Sequence, residues 1–283
     1  VNLYHYTDLN AVHSILSTHK IRMTDIRFLN DKTEYLQGIN ILRDAAADIF
    51  SGENNYYPGF VGTVAEWFPQ IFNELENFQY TDEIMYIASF SRSEDTLSQW
   101  RSYGMFAIGL DEGLLSEELS FNKIERIKCY YVFDLNDAIK MAKDLLHEHA
   151  LNFINSLWLL VDPQNRNSTL YDDLKEIVSL LATTFKHPCF SEENEIRLVK
   201  KSEADAEDIK FRVKNNLLIP FFELELSPEV FTCIRIGPLE NQELVEQTLD
   251  IFVSHRQAKL YSEGVNIEYS MVVESSDIPY RTL

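Results

Sequence analysis

"NLYHYTDLNAVHSILSTHKIRMTDIRFLND", residues 2–31, changes from strand composition to helix composition within a few residues. Its opening part reads as a strand with His5 between Tyr4 and Tyr6. Thr7 or Asp8 then offers an N-cap, and Val12, Ile15 and Leu16 recur as one apolar helical face. His13 falls off that stripe and reads as a solvated helix residue. "IRMTDIRFLND" returns to a short strand and loop. Asp31 with Glu34 then forms a D-x-x-E capping pair, opening a helix with Tyr35, Ile39, Leu42, Ala46 and Ile49 on its core side.

The rest of the chain keeps this irregular order. "SGENNYYPGFVG" reads as a loop, and the helix "TVAEWFPQIFNELENF" is expected to kink or split at Pro69. "EIMYIASFS" and "GMFAIGLD" have strand composition and flank the polar stretch "RSEDTLSQWRSYG"; "IERIKCYYVFD" is a further strand. A long helix runs from Asp134 to about Leu160 and another from Leu170 to Phe185. Beyond them "NEIRLVKK", "IKFRVK", "NLLIPFFELEL", "TCIRIG" and "GVNIEYSMVV" read as strands, interrupted by the helix "NQELVEQTLDIFVSHRQAKLY". No alternating strand–helix plan fits. The class is therefore α+β, one domain over residues 1–283 with a helical insertion at about 134–185.

The chain has 283 residues and a formal net charge of -20, from 45 acidic against 25 basic residues. Such a surface repels phosphate backbones and anionic membranes, so a nucleic-acid substrate would need a local basic groove. Cys129, Cys189 and Cys233 are scattered and odd in number, which argues against a disulfide framework or a zinc site. His147 and His149 stand two apart on a helix, where metal-binding histidines would be three or four apart. No metal is expected. No apolar run reaches the length of a membrane span and there is no basic-then-apolar leader, so the expectation is a cytoplasmic protein away from membranes.

Three stretches depart from ordinary punctuation. "ASFS" ends a strand with Ser89 and Ser91 on one side and Phe90 on the other. "LSQWRSYG" places Trp100, Arg101 and Tyr103 in a stretch that reads as a polar loop. "FSEENEIRLV" spaces Glu193, Glu195 and Arg197 by two, which would project all three to one strand face.

"LYHYT", "FLND", "SFS" with "LSQWRSYG", "FSEENEIRL" and the terminal "SSDIPYR" together resemble a widespread bacterial family carrying a domain of unknown function, over essentially the whole chain. That family in turn resembles the ADP-ribosyltransferase superfamily. The resemblance implies a split β-sheet core with helical insertions that binds NAD as substrate. It implies catalysis by Glu195, with Glu193 completing an E-x-E pair. The implied NAD contacts are His5, Tyr6, Thr7, Arg27, Asn30, Ser89, Phe90, Ser91, Trp100, Arg101 and Tyr103. A first-strand His usually accompanies a Tyr in the superfamily rather than the S-x-S found here, which leaves the acceptor class open.

These residue types suit the chemistry. Cleavage of the nicotinamide–ribose bond passes through an oxocarbenium-like state. A carboxylate beside the ribose 2′-hydroxyl strengthens its hydrogen bond as positive charge develops. An aromatic such as Phe90, Trp100 or Tyr103 would cover the nicotinamide, and Arg27, Arg101 or Arg197 would hold the diphosphate. The expected activity is ADP-ribosyl transfer to a macromolecule or NAD hydrolysis, in a toxin or phage-defence effector with an antitoxin or defence-system partner. The alternatives are a non-catalytic nucleotide- or partner-binding module, and a carboxylate-dependent hydrolase using Asp31, Glu34 and Glu195.

Overall fold

The computed structural model describes residues 2–29, 32–51, 61–77, 83–161, 166–266 and 268–279. In chain order it begins β1 (Asn2–Thr7), α1 (Leu9–Thr18), β2 (Lys20–Asp25), α2 (Lys32–Ser51), α3 (Val61–Glu76) and β3 (Glu83–Ser91). It continues α4 (Leu97–Tyr103), β4 (Phe106–Asp111), α5 (Glu112–Asn122), β5 (Glu125–Lys128), β6 (Tyr130–Tyr131), α6 (Leu135–Leu145) and α7 (Asn152–Leu157). It ends α8 (Arg166–Ala182), β7 (Phe185–Lys186), β8 (Glu195–Glu203), β9 (Ile209–Lys214), β10 (Leu217–Glu225), β11 (Phe231–Ile236), α9 (Gln242–Ser262) and β12 (Val272–Ser275). The protein is α+β, with nine α-helices and a ten-stranded mixed sheet among the described residues.

The chain divides into two compact units, residues 1–28, 82–128 and 191–283, and residues 29–81 and 129–190. The first holds the whole ten-stranded sheet, ordered β12-β11-β4-β1-β3-β2-β10-β9 with β8 also on β3 and β5 on β8. All pairings are antiparallel except β11 with β12. One sheet face carries the larger core, in which Leu3, Phe90, Ile108, Leu198 and Ile234 meet Val12 and Leu16 of α1, Leu115 of α5 and Val253 of α9. Local chemistry sets these helices. Asp8 caps α1 by accepting from the Ala11 amide, and Asp111 caps α5 by accepting from the Gly113 and Leu114 amides. The opposite face carries a smaller cluster of Tyr4, Tyr6, Trp100, Ala107 and Cys233.

The second unit is helical, built on Ile39, Leu42, Phe68, Ile71, Leu146, Leu174 and Phe185, with the short pair β6–β7. Ile39, Leu42 and Ala46 of α2 are buried as the sequence spacing requires, and Tyr35 and Ile49 pack at the edge. The helix expected from Asp134 to Leu160 forms from Leu135 to Leu157, widened to π geometry over Leu146–Leu151. Pro69 lies inside α3, which runs through it. "IERIKCYYVFD" is not one strand: β5 belongs to the large sheet, whereas β6 pairs with β7. Among the described residues of "GVNIEYSMVV" only Val272 and Val273 are strand, in β12, and Tyr269 donates its hydroxyl to the Phe231 carbonyl at 2.7 Å. "SGENNYYPGFVG" from Gly52 to Phe60, and Asp31 of the capping pair, lie outside the described residues.

Gly38 marks a close approach of α2 to α8 in the helical unit. A Cβ there would stand 2.0 Å from the Ala182 carbonyl oxygen, so α2 and α8 meet only because position 38 has no side chain. Gly38→Ala should cost about 1–3 kcal/mol by overpacking, measured as a lower midpoint in thermal or urea unfolding. An unchanged midpoint would refute the close contact.

Candidate functional site

β3 organises the site because it has two edges and three partners. β8 pairs along its full length, from Glu83↔Glu203 to Ser91↔Glu195. The other edge is shared: β2 takes Tyr86 and Ile87, β1 takes Ser91, and Ala88 to Phe90 between them pair with neither. The sheet is therefore split at that edge. His5 lies at the split, its Nδ1 3.0 Å from the Ser89 carbonyl oxygen. Donation from Nδ1–H gives that carbonyl a side-chain partner at the split, and leaves the lone pair of a neutral ring on Nε2. Burial lowers the His5 pKa below its ordinary 6.5, with the Ser89 carbonyl acting the other way.

Register decides which side chains share a face. Tyr4 pairs with Ser91 and Ser91 with Glu195, so these three form a row across β1, β3 and β8, with Ser89 and Arg197 one step along. His5 is not on that face. It turns toward Phe90, ring centroids 5.4 Å apart, because the pairing at Tyr4 places residue 5 on the other side. His5 meets the backbone of Ser89, while the Ser89 and Ser91 side chains leave β3 on the opposite face. Phe90 is buried in the larger core.

The carboxylates differ from the simple alternation. Glu193 ends a 3-10 turn (Pro188–Glu193), and Asn194 adopts a left-handed φ of 43° before β8 begins. The alternating run of Glu193, Glu195 and Arg197 is thus broken at Asn194, and only the last two are on the strand. Both are buried and face each other, Arg197 Nε donating to Glu195 Oε1 at 3.1 Å and Nη2 to Oε2 at 3.2 Å. Glu193 is held at both ends. Ser91 Oγ donates to its carbonyl at 2.6 Å, and the Tyr103 hydroxyl to its Oε1 at 2.9 Å. Ser89 is exposed, whereas Ser91 is buried and accepts from the Ser93 amide.

"LSQWRSYG" forms the helix α4 rather than a loop, and Trp100 anchors it. Its ring is buried edge-on to Tyr6 at 4.5 Å, and its Nε1–H donates to Asp95 Oδ1 at 2.7 Å. Asp95 also accepts from Ser276 Oγ and the Asp277 amide, tying "SSDI" to the same place. Tyr6 donates to the Ser93 carbonyl at 2.8 Å and Tyr4 to Glu94 at 3.1 Å. Burial raises both tyrosines to about 12. Gly104 closes α4 at φ 130°, where a Cβ would lie 2.3 Å from the Thr7 carbonyl oxygen. The Thr7 backbone is thus a packing surface for the end of "WRSYG".

The remaining expected residues separate. Arg27 is committed to the fully buried Asp25, its Nε 3.0 Å from each carboxylate oxygen. Arg101 is exposed, with no ion-pair partner among the described residues. Asn30 lies outside the described residues, and Glu34 is on α2, Oε1 3.7 Å from Lys186 Nζ. Among the described residues no group of three or more His, Cys, Asp or Glu side chains is placed to hold a metal ion, and no helix is long and apolar enough to cross a membrane. Tyr4 and Asp95 escaped the sequence reading. Tyr4 sits one residue from the histidine that drew attention, and Asp95 lacks any spacing signal because its partners are distant in the chain.

Two outcomes follow from this geometry. Trp100→Ala should cost about 3–5 kcal/mol, since it removes a buried ring and leaves Asp95 without its indole donor. A loss of ligand affinity with an unchanged unfolding midpoint would contradict the anchoring role. For His5, the unfolded chain takes up a proton near pH 6.5 while the folded ring resists it, so stability is full above that pH and falls as the pH drops below it. His19, whose pKa burial also lowers, adds to the same acid loss. The midpoint of His5→Gln should therefore fall less than wild type between pH 7.5 and 5.5; an equal fall in both would show that His5 keeps its ordinary pKa.

Compared with known proteins, the chain matches no family model, no curated protein and no solved structure.

Proposed function

We propose that this protein cleaves the nicotinamide–ribose bond of NAD and passes the ADP-ribosyl group to an acceptor, water or a macromolecule. The observation that carries the reading is convergence. Four stretches far apart in the chain, "LYHYT", "SFSRSEDTLSQWRSYG", "SEENEIR" and "SSDI", join through named hydrogen bonds on and beside one sheet face that bears Ser89, Ser91, Glu195 and Arg197. The split edge of β3 supports it further, since a sheet that opens beside such a row offers a ligand both backbone and side-chain partners.

In this reading Glu195 accepts from the ribose 2′-hydroxyl as the C1′–N bond breaks and its electron pair leaves with nicotinamide. Arg197 holds the carboxylate in one orientation, so no reorganisation is needed as charge develops. The attacking acceptor oxygen bonds to C1′ and its proton passes to a nearby carboxylate, for which Glu193 stands at the partly exposed Tyr103. His5 fixes the β3 edge through the Ser89 carbonyl.

A second reading has its own support. The two-point Glu195–Arg197 pair is also what a purely structural buried ion pair looks like, which favours a binding module without catalysis. The two are separable. Glu195→Gln should lower nicotinamide release roughly a hundredfold or more, and should also cost stability by removing the carboxylate that Arg197 faces. Glu195→Gln/Arg197→Met removes both charges of the pair, so it should regain part of the unfolding midpoint but not the activity. Nicotinamide release is measured at matched folded concentration. Full activity in either variant overturns the enzymatic reading of this site.

A further inference from the structure

Beyond β3, the face that carries Ser89 and Glu195 continues over β2, β10 and β9. Thr24 pairs with Ile87 of β3 and with Phe221, Phe221 with Lys210, Arg22 with Glu223, and Arg212 with Ile219. Alternation therefore puts Arg22, Thr24, Phe221, Glu223, Lys210 and Arg212 on one face of this wing. Lys20 and Lys210 are neutralised, Lys20 sitting 3.0 Å from Glu225 and Lys210 2.6 Å from Glu223, while Lys214 is exposed at the end of β9. The arginines of the wing are not neutralised. Among the described residues neither Arg22 nor Arg212 has a carboxylate within ion-pair distance, in a chain with 45 acidic residues against 25 basic.

The two guanidiniums reach the two members of one cross-strand pair, Thr24 and Phe221. Arg22 lies over the Phe221 ring at 5.0 Å, and Arg212 Nη2 donates to Thr24 Oγ1 at 3.2 Å. Arg212 Nε is buried and has no hydrogen-bond partner among the described residues. Burial and the neighbouring Arg22 charge together hold the Arg212 pKa below its ordinary value. A buried unpaired donor beside a second uncompensated cation is costly unless an anion completes it. Thr24 keeps a hydroxyl proton to donate as well. Planar guanidiniums with a hydroxyl between them match the oxygens of a phosphate group better than a single carboxylate.

We propose that Arg22, Thr24 and Arg212 form a phosphate-binding subsite on the β2–β10–β9 wing, on the same sheet face as Glu195. Its phosphate comes either from a dinucleotide whose ribose reaches Glu195 or from free phosphate or diphosphate. The dinucleotide source rests on the NAD reading, whereas the anion chemistry stands without it.

Calorimetric titration of the whole protein with inorganic diphosphate and with ADP-ribose tests this. Arg22→Gln and Arg212→Gln should each weaken diphosphate binding about tenfold, the loss of one charge-assisted contact. Lys210→Gln, already neutralised by Glu223, should change it less than about twofold. Arg22 is exposed, so its variant keeps the test should Arg212→Gln unfold. Parallel losses for ADP-ribose assign the dinucleotide source, and losses for diphosphate alone assign the free anion. Absence of binding to wild type, or binding indifferent to both arginine substitutions, overturns the subsite. Nicotinamide release undiminished in Glu195→Gln would remove the catalytic reading while leaving these titrations as they are.

Discussion

A strand with three partners cannot be satisfied along both edges, and β3 is such a strand. β8 takes one edge entirely, and β1 and β2 divide the other and diverge between Ile87 and Ser91. Buried or half-buried backbone groups left at such a gap need partners. Here the His5 ring supplies one, from the strand that turned away. The position of His5 between two tyrosines follows from that constraint: its neighbours Tyr4 and Tyr6 serve the opposite face, anchoring Glu94, the Ser93 carbonyl and Trp100.

The same constraint explains why so many polar residues gather beside β3. Segments leaving the ends of β3 and entering β8 must be tied down where the sheet cannot continue. Asp95 does this for α4 and the C-terminal segment, and Ser91 for the turn at Glu193. Those ties use neutral donors to the Asp95 carboxylate and to the Glu193 carbonyl. The charged groups left on the face, Glu195 with Arg197 and the arginines of the β2–β10–β9 wing, are then held on a scaffold that fixes their spacing, as transition-state or phosphate recognition requires.

Much of this was legible in the sequence. The period of Val12, Ile15 and Leu16 marked α1, and alternation in "ASFS" correctly split Ser89 and Ser91 from Phe90. Alternation failed at Glu193, because a single left-handed residue, Asn194, resets the count and short-range pattern cannot see it. It also could not assign His5 a face relative to Ser91, since relative facing depends on the register between strands more than eighty residues apart. "LSQWRSYG" looked like a polar loop because its buried residues are the polar Gln99 and the single ring of Trp100, with Asp95 as partner, rather than an apolar stripe. The wing arginines gave no signal at all, since nothing in "KIRMTD" or "IKFRVK" shows which cations lack a carboxylate.

The most direct test of the central claim is a structure of the protein with NAD or ADP-ribose bound. The account places the ribose nearest the cleaved bond against β8, its 2′-hydroxyl within about 3.2 Å of a Glu195 carboxylate oxygen. A ligand seated elsewhere, making no contact with Glu195, would contradict it.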